Sequence, residues 1–214
     1  MTISVPRLDR SAVGERGITL ADFLVPVRVS EGIGVRLRHL ALIVAGALLI
    51  ALAAQVRFYF PGNPVPFTGQ TFAVLLAGGA LGFRRGIAAT GLYVLLGIIG
   101  MPVYADAKHG IEVITGATGG YLVGFVLAGA LTGRLAELGW DRNMIGAIGA
   151  MLIGDIAIFA IGVPWLALSA DQPLSWAVAN GLTPFLAPEV LKLALASAVF
   201  PAAWWLVGRR PGDR

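Results

Sequence analysis

Apolar positions in this chain come in long unbroken runs, at residues 39–58, 67–83, 86–101, 117–136, 143–168 and 184–207. Polar and charged residues gather between these runs rather than forming a stripe within them. A helix on a water-soluble core keeps one polar face, whereas a run that is apolar all round belongs in lipid. About 20 helical residues cross a 30 Å hydrocarbon core, so the pattern predicts six transmembrane helices. The second and third runs are short and separated only by Phe83-Arg84-Arg85, so these two spans are expected to be short or steeply placed.

Composition supports this picture. Hydrophobic residues make up 57% of the chain and charged residues only 13%, against about 25% charged in soluble domains; mean hydropathy is +0.81. The 29 glycines suit helices that approach closely in lipid, where small residues replace the hydrophobic effect as the means of association. With no cysteine, disulfides, thiolate metal sites and Cys nucleophiles are excluded.

Charge sets the expected topology. With the N-terminus in the cytoplasm, all of the 16 Lys and Arg residues lie in cytoplasmic segments except Arg57, Lys108 and Lys192, which fall on the outer side or within the membrane. The positive-inside rule then puts both termini in the cytoplasm, and an odd number of spans would destroy the asymmetry. The net charge of +4 is scattered over segment ends, which reads as topology and not as a nucleic-acid surface. The expected organisation is an N-terminal cytoplasmic arm over 1–37, a membrane domain over 38–208 and a cytoplasmic tail over 209–214, in a multi-pass protein of the bacterial cytoplasmic membrane. No cleavable signal peptide is expected, because the arm is charged and lacks a short apolar core followed by a cleavage site. Residues 18–30 read either as a short amphipathic surface piece or as a flexible tether.

Candidate chemistry is sparse. Glu189 and Lys192 lie three apart in the last run, on one helical face, where each costs about 2.5–3.5 kcal/mol unless paired or hydrated. A carboxylate beside an ammonium suits a small ligand with hydrogen-bond donors and an acid group; the bland reading is a structural ion pair. Asp155, in the fifth run, is a candidate on the same grounds, or a carboxyl bonded to a neighbouring helix. Gln70 and Thr71 sit at the outer end of the second run, where Gln70 is either a cap or a ligand contact. Residues 101–116 are too polar to span and too apolar for a plain solvated loop, which suits a lid or a segment dipping back toward a cavity. Residues 169–183 read as a second lid strand or, through Trp176, as an interfacial anchor. His109 beside Asp106, Lys108 and Glu112 has no second histidine near it in sequence, so no metal site is expected. Zinc-protease, nucleophile-elbow and phosphate-loop motifs are absent from the sequence, which argues against an enzyme and against self-powered transport, and no cofactor is implied. In the first run, Ala41-x-x-x-Ala45 and Ala47-x-x-x-Ala51 suit either packing within the protein or docking onto a partner.

Four blocks, in this order, carry a family resemblance. They are Val65-Pro-Phe-Thr-Gly-Gln-Thr with Leu75-Leu-Ala-Gly; Gly97-Ile-Ile-Gly-Met-Pro-Val; Gly116-Ala-Thr-Gly-Gly-Tyr-Leu-Val-Gly-Phe; and Gly181-Leu-Thr-Pro-Phe-Leu-Ala-Pro-Glu-Val-Leu-Lys. Gly162-Val-Pro-Trp-Leu adds support. The chain resembles the BioY proteins, the membrane-embedded substrate-binding (S) components for biotin in energy-coupling-factor (ECF) transporters. The resemblance implies an all-α six-helix bundle of the ECF S-component type that captures biotin from outside under a lid. It implies substrate contacts from Glu189 and Lys192, with Tyr121 covering the apolar ring, Gly119 and Gly120 allowing close backbone approach, and Gln70, Lys108 and Asp155 as further candidates. Partners would be ECF transmembrane and ATPase subunits, docked through Ala47 and Ala51, or other copies of the chain. Two departures stand out: the family's Pro-Gly-Asp-x-x-Lys reads Ala187-Pro188-Glu189-x-x-Lys192 here, and the usually glycine-rich loop between the third and fourth spans carries Asp106, Lys108 and His109. The runner-up is an S component for another small vitamin; a membrane enzyme or scaffold using Asp155 and Glu189 lacks a reaction motif.

Overall fold

The computed structural model describes residues 19–24, 32–59 and 63–208. Helices dominate: α1 (Leu20–Leu24), α2 (Gly32–Gln55), α3 (Gln70–Leu81), α4 (Phe83–Ile98), α5 (Ile111–Thr115), α6 (Gly119–Glu137), α7 (Met144–Ser169), α8 (Leu174–Gly181) and α9 (Leu186–Gly208). Two short antiparallel strands, β1 (Arg57–Phe58) and β2 (Phe67–Thr68), pair Arg57 with Thr68 and Phe58 with Phe67 between α2 and α3. Among the described residues, four stretches are long and apolar enough to cross a membrane: Arg36–Gln55, Gly119–Glu137, Met144–Ser169 and Leu174–Leu206.

The two short spans have a geometric explanation. At about 1.5 Å per residue, the 12 residues of α3 and 16 of α4 reach only ~18 and ~24 Å, less than the ~30 Å core. They meet at Gly82, whose φ of 83° makes the reversal in a single residue; glycine is required there by the left-handed backbone. Both helices therefore stop short at the same opposite end, and the β1–β2 hairpin and the 99–118 segment fill the space they leave.

Small residues let α3, α4 and α6 touch backbone to backbone. A Cβ on Gly78 would lie 2.8 Å from the Gly129 carbonyl oxygen, and one on Gly86 would lie 2.7 Å from the same atom. A Cβ on Gly133 would meet the Gly82 carbonyl carbon at 2.5 Å. With lipid on the outside, such close contact is the main source of helix cohesion.

Three observations bear on the expected organisation. The helix that carries the first apolar run begins at Gly32, and its membrane-length stretch begins at Arg36. Within the arm, Leu20 and Ala21 are buried on the bundle, and Asp22 accepts hydrogen bonds from Arg85 Nη1 at 3.0 Å and Arg85 Nη2 at 3.1 Å. Within the 18–30 stretch, residues 19–24 thus pack against the bundle; residues 18 and 25–30 lie outside the described residues. Finally, Ala47 is only 1% exposed and Ala51 is packed against the core. Neighbouring Gly46 approaches Leu81 of α3 and Ala89 of α4 closely. Ala47 is thus taken up by internal packing and Ala51 is half-buried, and the exposed small pair on this helix is Ala41 and Ala45.

Candidate binding site

The last span is broken. After α8, the chain turns through Thr183-Pro184-Phe185 before α9 starts at Leu186. The break places Glu189 in the first turn of α9, where the positive end of the helix dipole favours a carboxylate. One turn on, Lys192 Nζ donates to Glu189 Oε1 at 2.7 Å. Thr71, in the first turn of α3, completes the group: its Oγ1 lies 3.0 Å from both Glu189 carboxylate oxygens and accepts from Lys192 Nζ at 3.0 Å. Glu189 is 3% exposed and the Lys192 side chain 19%. The ammonium is the wetter partner because it faces a cavity.

That cavity measures about 310 Å³, inside the roughly 300–1,000 Å³ range of small-molecule sites. Its polar base is the Thr71–Glu189–Lys192 group, and one wall is aromatic. Phe67 and Phe185 stack at 4.0 Å between centroids, Phe159 meets Phe185 edge-on at 6.1 Å, and Tyr121 meets Phe159 edge-on at 5.9 Å. Tyr121 is fixed further by donating to the Gly181 carbonyl at 2.8 Å, which ties α6 to the end of α8. Wall and base together offer apolar flat faces, an acceptor carboxylate and a donor ammonium.

The cavity mouth is held by a polar cluster. Tyr59 Oη and Arg57 Nε both donate to the Asp106 carboxylate, and Lys108 Nζ stands 3.8 Å from it. These contacts pull the 105–108 turn onto the hairpin, although Asp106 and Ala107 have φ of 62° and 52°, a left-handed conformation that costs non-glycine residues energy. Hydrogen bonds from Tyr59 and then Arg57 hold the Asp106 carboxyl below its usual range. Burial first, then the bond to Asp106, pushes the Tyr59 hydroxyl up to about 12. Tyr104 anchors the loop beneath, donating to the Val94 carbonyl at 2.6 Å. Within residues 101–116, Tyr104, Ala105, Lys108, Glu112, Val113 and Gly116 line the cavity.

Of the sequence candidates, Gln70, Lys108, Tyr121, Glu189 and Lys192 line this cavity. Gln70 is already engaged: its Nε2 donates to Tyr93 at 2.5 Å and its Oε1 accepts from Thr68 at 2.9 Å. Asp155 is buried but is not a lining residue, and its Oδ1 has no hydrogen-bond partner among the described residues. Gly119 and Gly120 open toward protein, not toward the cavity. A Cβ on Gly119 would strike the Ile114 carbonyl oxygen at 1.6 Å, and one on Gly120 the Trp165 side chain at 2.2 Å. Their smallness serves packing of α5 and α7 on α6. Sequence reasoning passed over Phe159, Phe185 and Glu112 as cavity residues. The Thr-Pro-Phe turn was a usable signal for Phe185; nothing local marks Phe159 among so many apolar neighbours.

A helical bundle with membrane-length spans, closed at one end over a small cavity with an intramembrane charge pair, defines a membrane-embedded ligand-binding protein. The profile of the BioY family matches residues 26–209, and the chain belongs to that family. It is similar to a protein named biotin transporter BioY from Thermotoga maritima, at 37% identity over 158 residues covering 74% of this chain and 92% of that protein. It is also similar to biotin transporter BioY2 of Lactococcus lactis, 34% identical over 167 residues, 76% of this chain and 87% of the relative. In three dimensions it matches the crystal structure of an S-component for biotin from an ECF-type ABC transporter, with a TM-score of 0.74 at 23% identity over 84% of this chain and 96% of that one.

Proposed function

We propose that this protein captures biotin at the outer face of the cytoplasmic membrane and acts as the substrate-binding component of an ECF-type transporter, not as an enzyme. The observation that carries the reading is the Thr71–Glu189–Lys192 group at the base of an aromatic-walled cavity, in a chain of the BioY family. Biotin brings a ureido ring with two N–H donors and a carbonyl, an apolar thiolane and a valerate carboxylate. Glu189 accepts from the ureido N–H groups and Lys192 donates to its carbonyl, both as charge-assisted bonds. Tyr121, Phe159 and Phe185 cover the apolar ring, and Lys108 at the mouth meets the acid end.

Six spans with both termini in the cytoplasm fit this reading. Arg36, Arg38, Arg84, Arg85, Arg134 and Arg142 gather at the end of the bundle away from the cavity, whereas Arg57 and Lys108 are at the cavity end. The positive-inside rule then turns the cavity outward. For passage inward, the exposed Ala41 and Ala45 on α2 are the surface offered to an ECF transmembrane subunit; uptake by the protein alone or as a homo-oligomer is the other arrangement.

Calorimetry with biotin and the detergent-purified protein tests the proposal, beside Lys192→Ala. Binding that vanishes in the variant supports both ligand and site. Heat with a different vitamin and none with biotin would transfer the site to that vitamin.

A further inference from the structure

The end of the bundle away from the cavity carries a second depression, a groove of about 880 Å³ lined by His39 and Ile43 of α2, by Leu81, Phe83, Arg84 and Arg85 at the α3–α4 reversal, and by Arg134 and Glu137 of α6. We propose that it binds the headgroup of an anionic phospholipid.

Position is the first reason. The groove opens at the ends of apolar helices: Arg36–Gln55 and Gly119–Glu137 are both membrane-length stretches, and of the lining residues His39, Arg134 and Glu137 sit within about a turn of where they end. That is the depth of lipid headgroups. Beside His39 and Ile43, the same helix exposes Leu40 (56%) and Val44 (38%), and Phe83 is 39% exposed at the reversal. Acyl chains have an apolar wall to follow immediately below the charged rim.

The charge balance is the second reason. Arg85 is fully engaged, donating to Asp22, Thr19 and the Leu81 carbonyl. Arg134 shares Glu137 at 3.1 Å, and that one carboxylate also accepts from the Phe83 amide at 2.9 Å. Arg84 is exposed, and the structure gives it no hydrogen bond or ion pair among the described residues. With Arg85 matched by Asp22 and Arg134 by Glu137, Arg84 leaves the groove an excess positive charge in the first turn of α4, where the helix dipole adds to it.

Chemistry selects the occupant. A guanidinium pairs with a phosphate through two parallel hydrogen bonds, so Arg84 and Arg134 grip a phosphodiester while its chains lie on Leu40, Val44 and Phe83. Inorganic phosphate would use only the arginines. An acidic protein segment would leave the apolar wall in lipid. Basic pockets between membrane helices bind acidic headgroups in this way.

The test uses the full chain in detergent, titrated with phosphatidylglycerol, phosphatidylcholine or inorganic phosphate and read by native mass spectrometry for retained lipid. Wild type should retain phosphatidylglycerol in preference to phosphatidylcholine. Retention should fall roughly fivefold for Arg84→Gln and again for Arg84→Gln/Arg134→Gln, with biotin heat unchanged in both. Arg84→Gln breaks no bond among the described residues, so it folds even where the double variant does not. Equal retention of the two lipids, indifference to Arg84→Gln, or displacement of the lipid by millimolar inorganic phosphate would each overturn the proposal.

Discussion

Lys192 and Glu189 are 2.7 Å apart on adjacent turns of one helix, yet what fixes the pair is a residue 118 positions away from Glu189, Thr71 on α3. The hydroxyl bridges both partners, so the carboxylate and ammonium present their remaining hydrogen-bonding capacity to the cavity in one orientation. Thr71→Val removes this bridge with little change in volume. Net hydrogen bonds to charged groups contribute about 1.5–3 kcal/mol, so biotin affinity should fall at least tenfold with the fold retained, as calorimetry and thermal unfolding would report.

Lys192→Ala differs in kind. It strands Glu189, which is 3% exposed, without its counter-ion. Breaking a buried pair costs about 3–5 kcal/mol; the ammonium's access to the cavity puts this case near the lower end. Thermal unfolding in detergent should show a clear drop in Tm beside the loss of biotin binding. Lys192→Met with Glu189→Gln, which removes both charges, should recover most of the stability but not the binding.

The Asp106 cluster governs the mouth. Asp106→Asn keeps the shape and weakens both charge-assisted contacts, so biotin should leave several-fold faster with a smaller change in on-rate, measurable by stopped-flow exchange. The pH dependence has a definite sign. The Asp106 carboxyl is held below its ordinary value by Tyr59 and Arg57; its contribution is therefore complete above that ordinary value, about 3.9, and is lost as pH falls through the lower folded one. The off-rate component due to this latch should be flat from pH 8 to about 5 and rise only below about 4.

Two alanines on α2 separate docking from folding. Ala45 is exposed and Ala47 is 1% exposed. Ala45→Trp should leave biotin binding intact and abolish uptake in cells with an ECF module. Ala47→Trp should lower expression and Tm, because the ring has no room beside α3 and α4 and overpacking costs about 1–3 kcal/mol or more. Equal biotin binding and equal uptake in Ala45→Trp and wild type would remove this face from consideration.

Gly97 tests the loop anchor. A Cβ there would sit 2.0 Å from the Tyr104 ring, which is 2% exposed and bonded to the Val94 carbonyl. Gly97→Ala should expel the ring, free the 101–110 segment to proteolysis, and weaken biotin binding without unfolding the bundle. Limited proteolysis beside calorimetry would register both effects.

The amino-acid pattern by itself determined the helical membrane class, the short α3–α4 hairpin and the shared face of Glu189 and Lys192. All three are local properties: run length sets span, and a spacing of three sets a face on any helix. Which way each helix turns about its axis was left to the tertiary structure. In a soluble bundle the polar stripe would mark the outside; in lipid both faces are apolar, so nothing in the Ala-rich α2 separates buried Ala47 from exposed Ala45. Gly119 and Gly120 are expected from the sequence to let the backbone approach the ligand, whereas in the structure Ile114 and Trp165 occupy the space beside them. Thr71 and Phe159 reached the cavity, and Asp155 stayed off its wall, because close packing of glycine backbones fixed the rotation and depth of α3, α6 and α7 against one another.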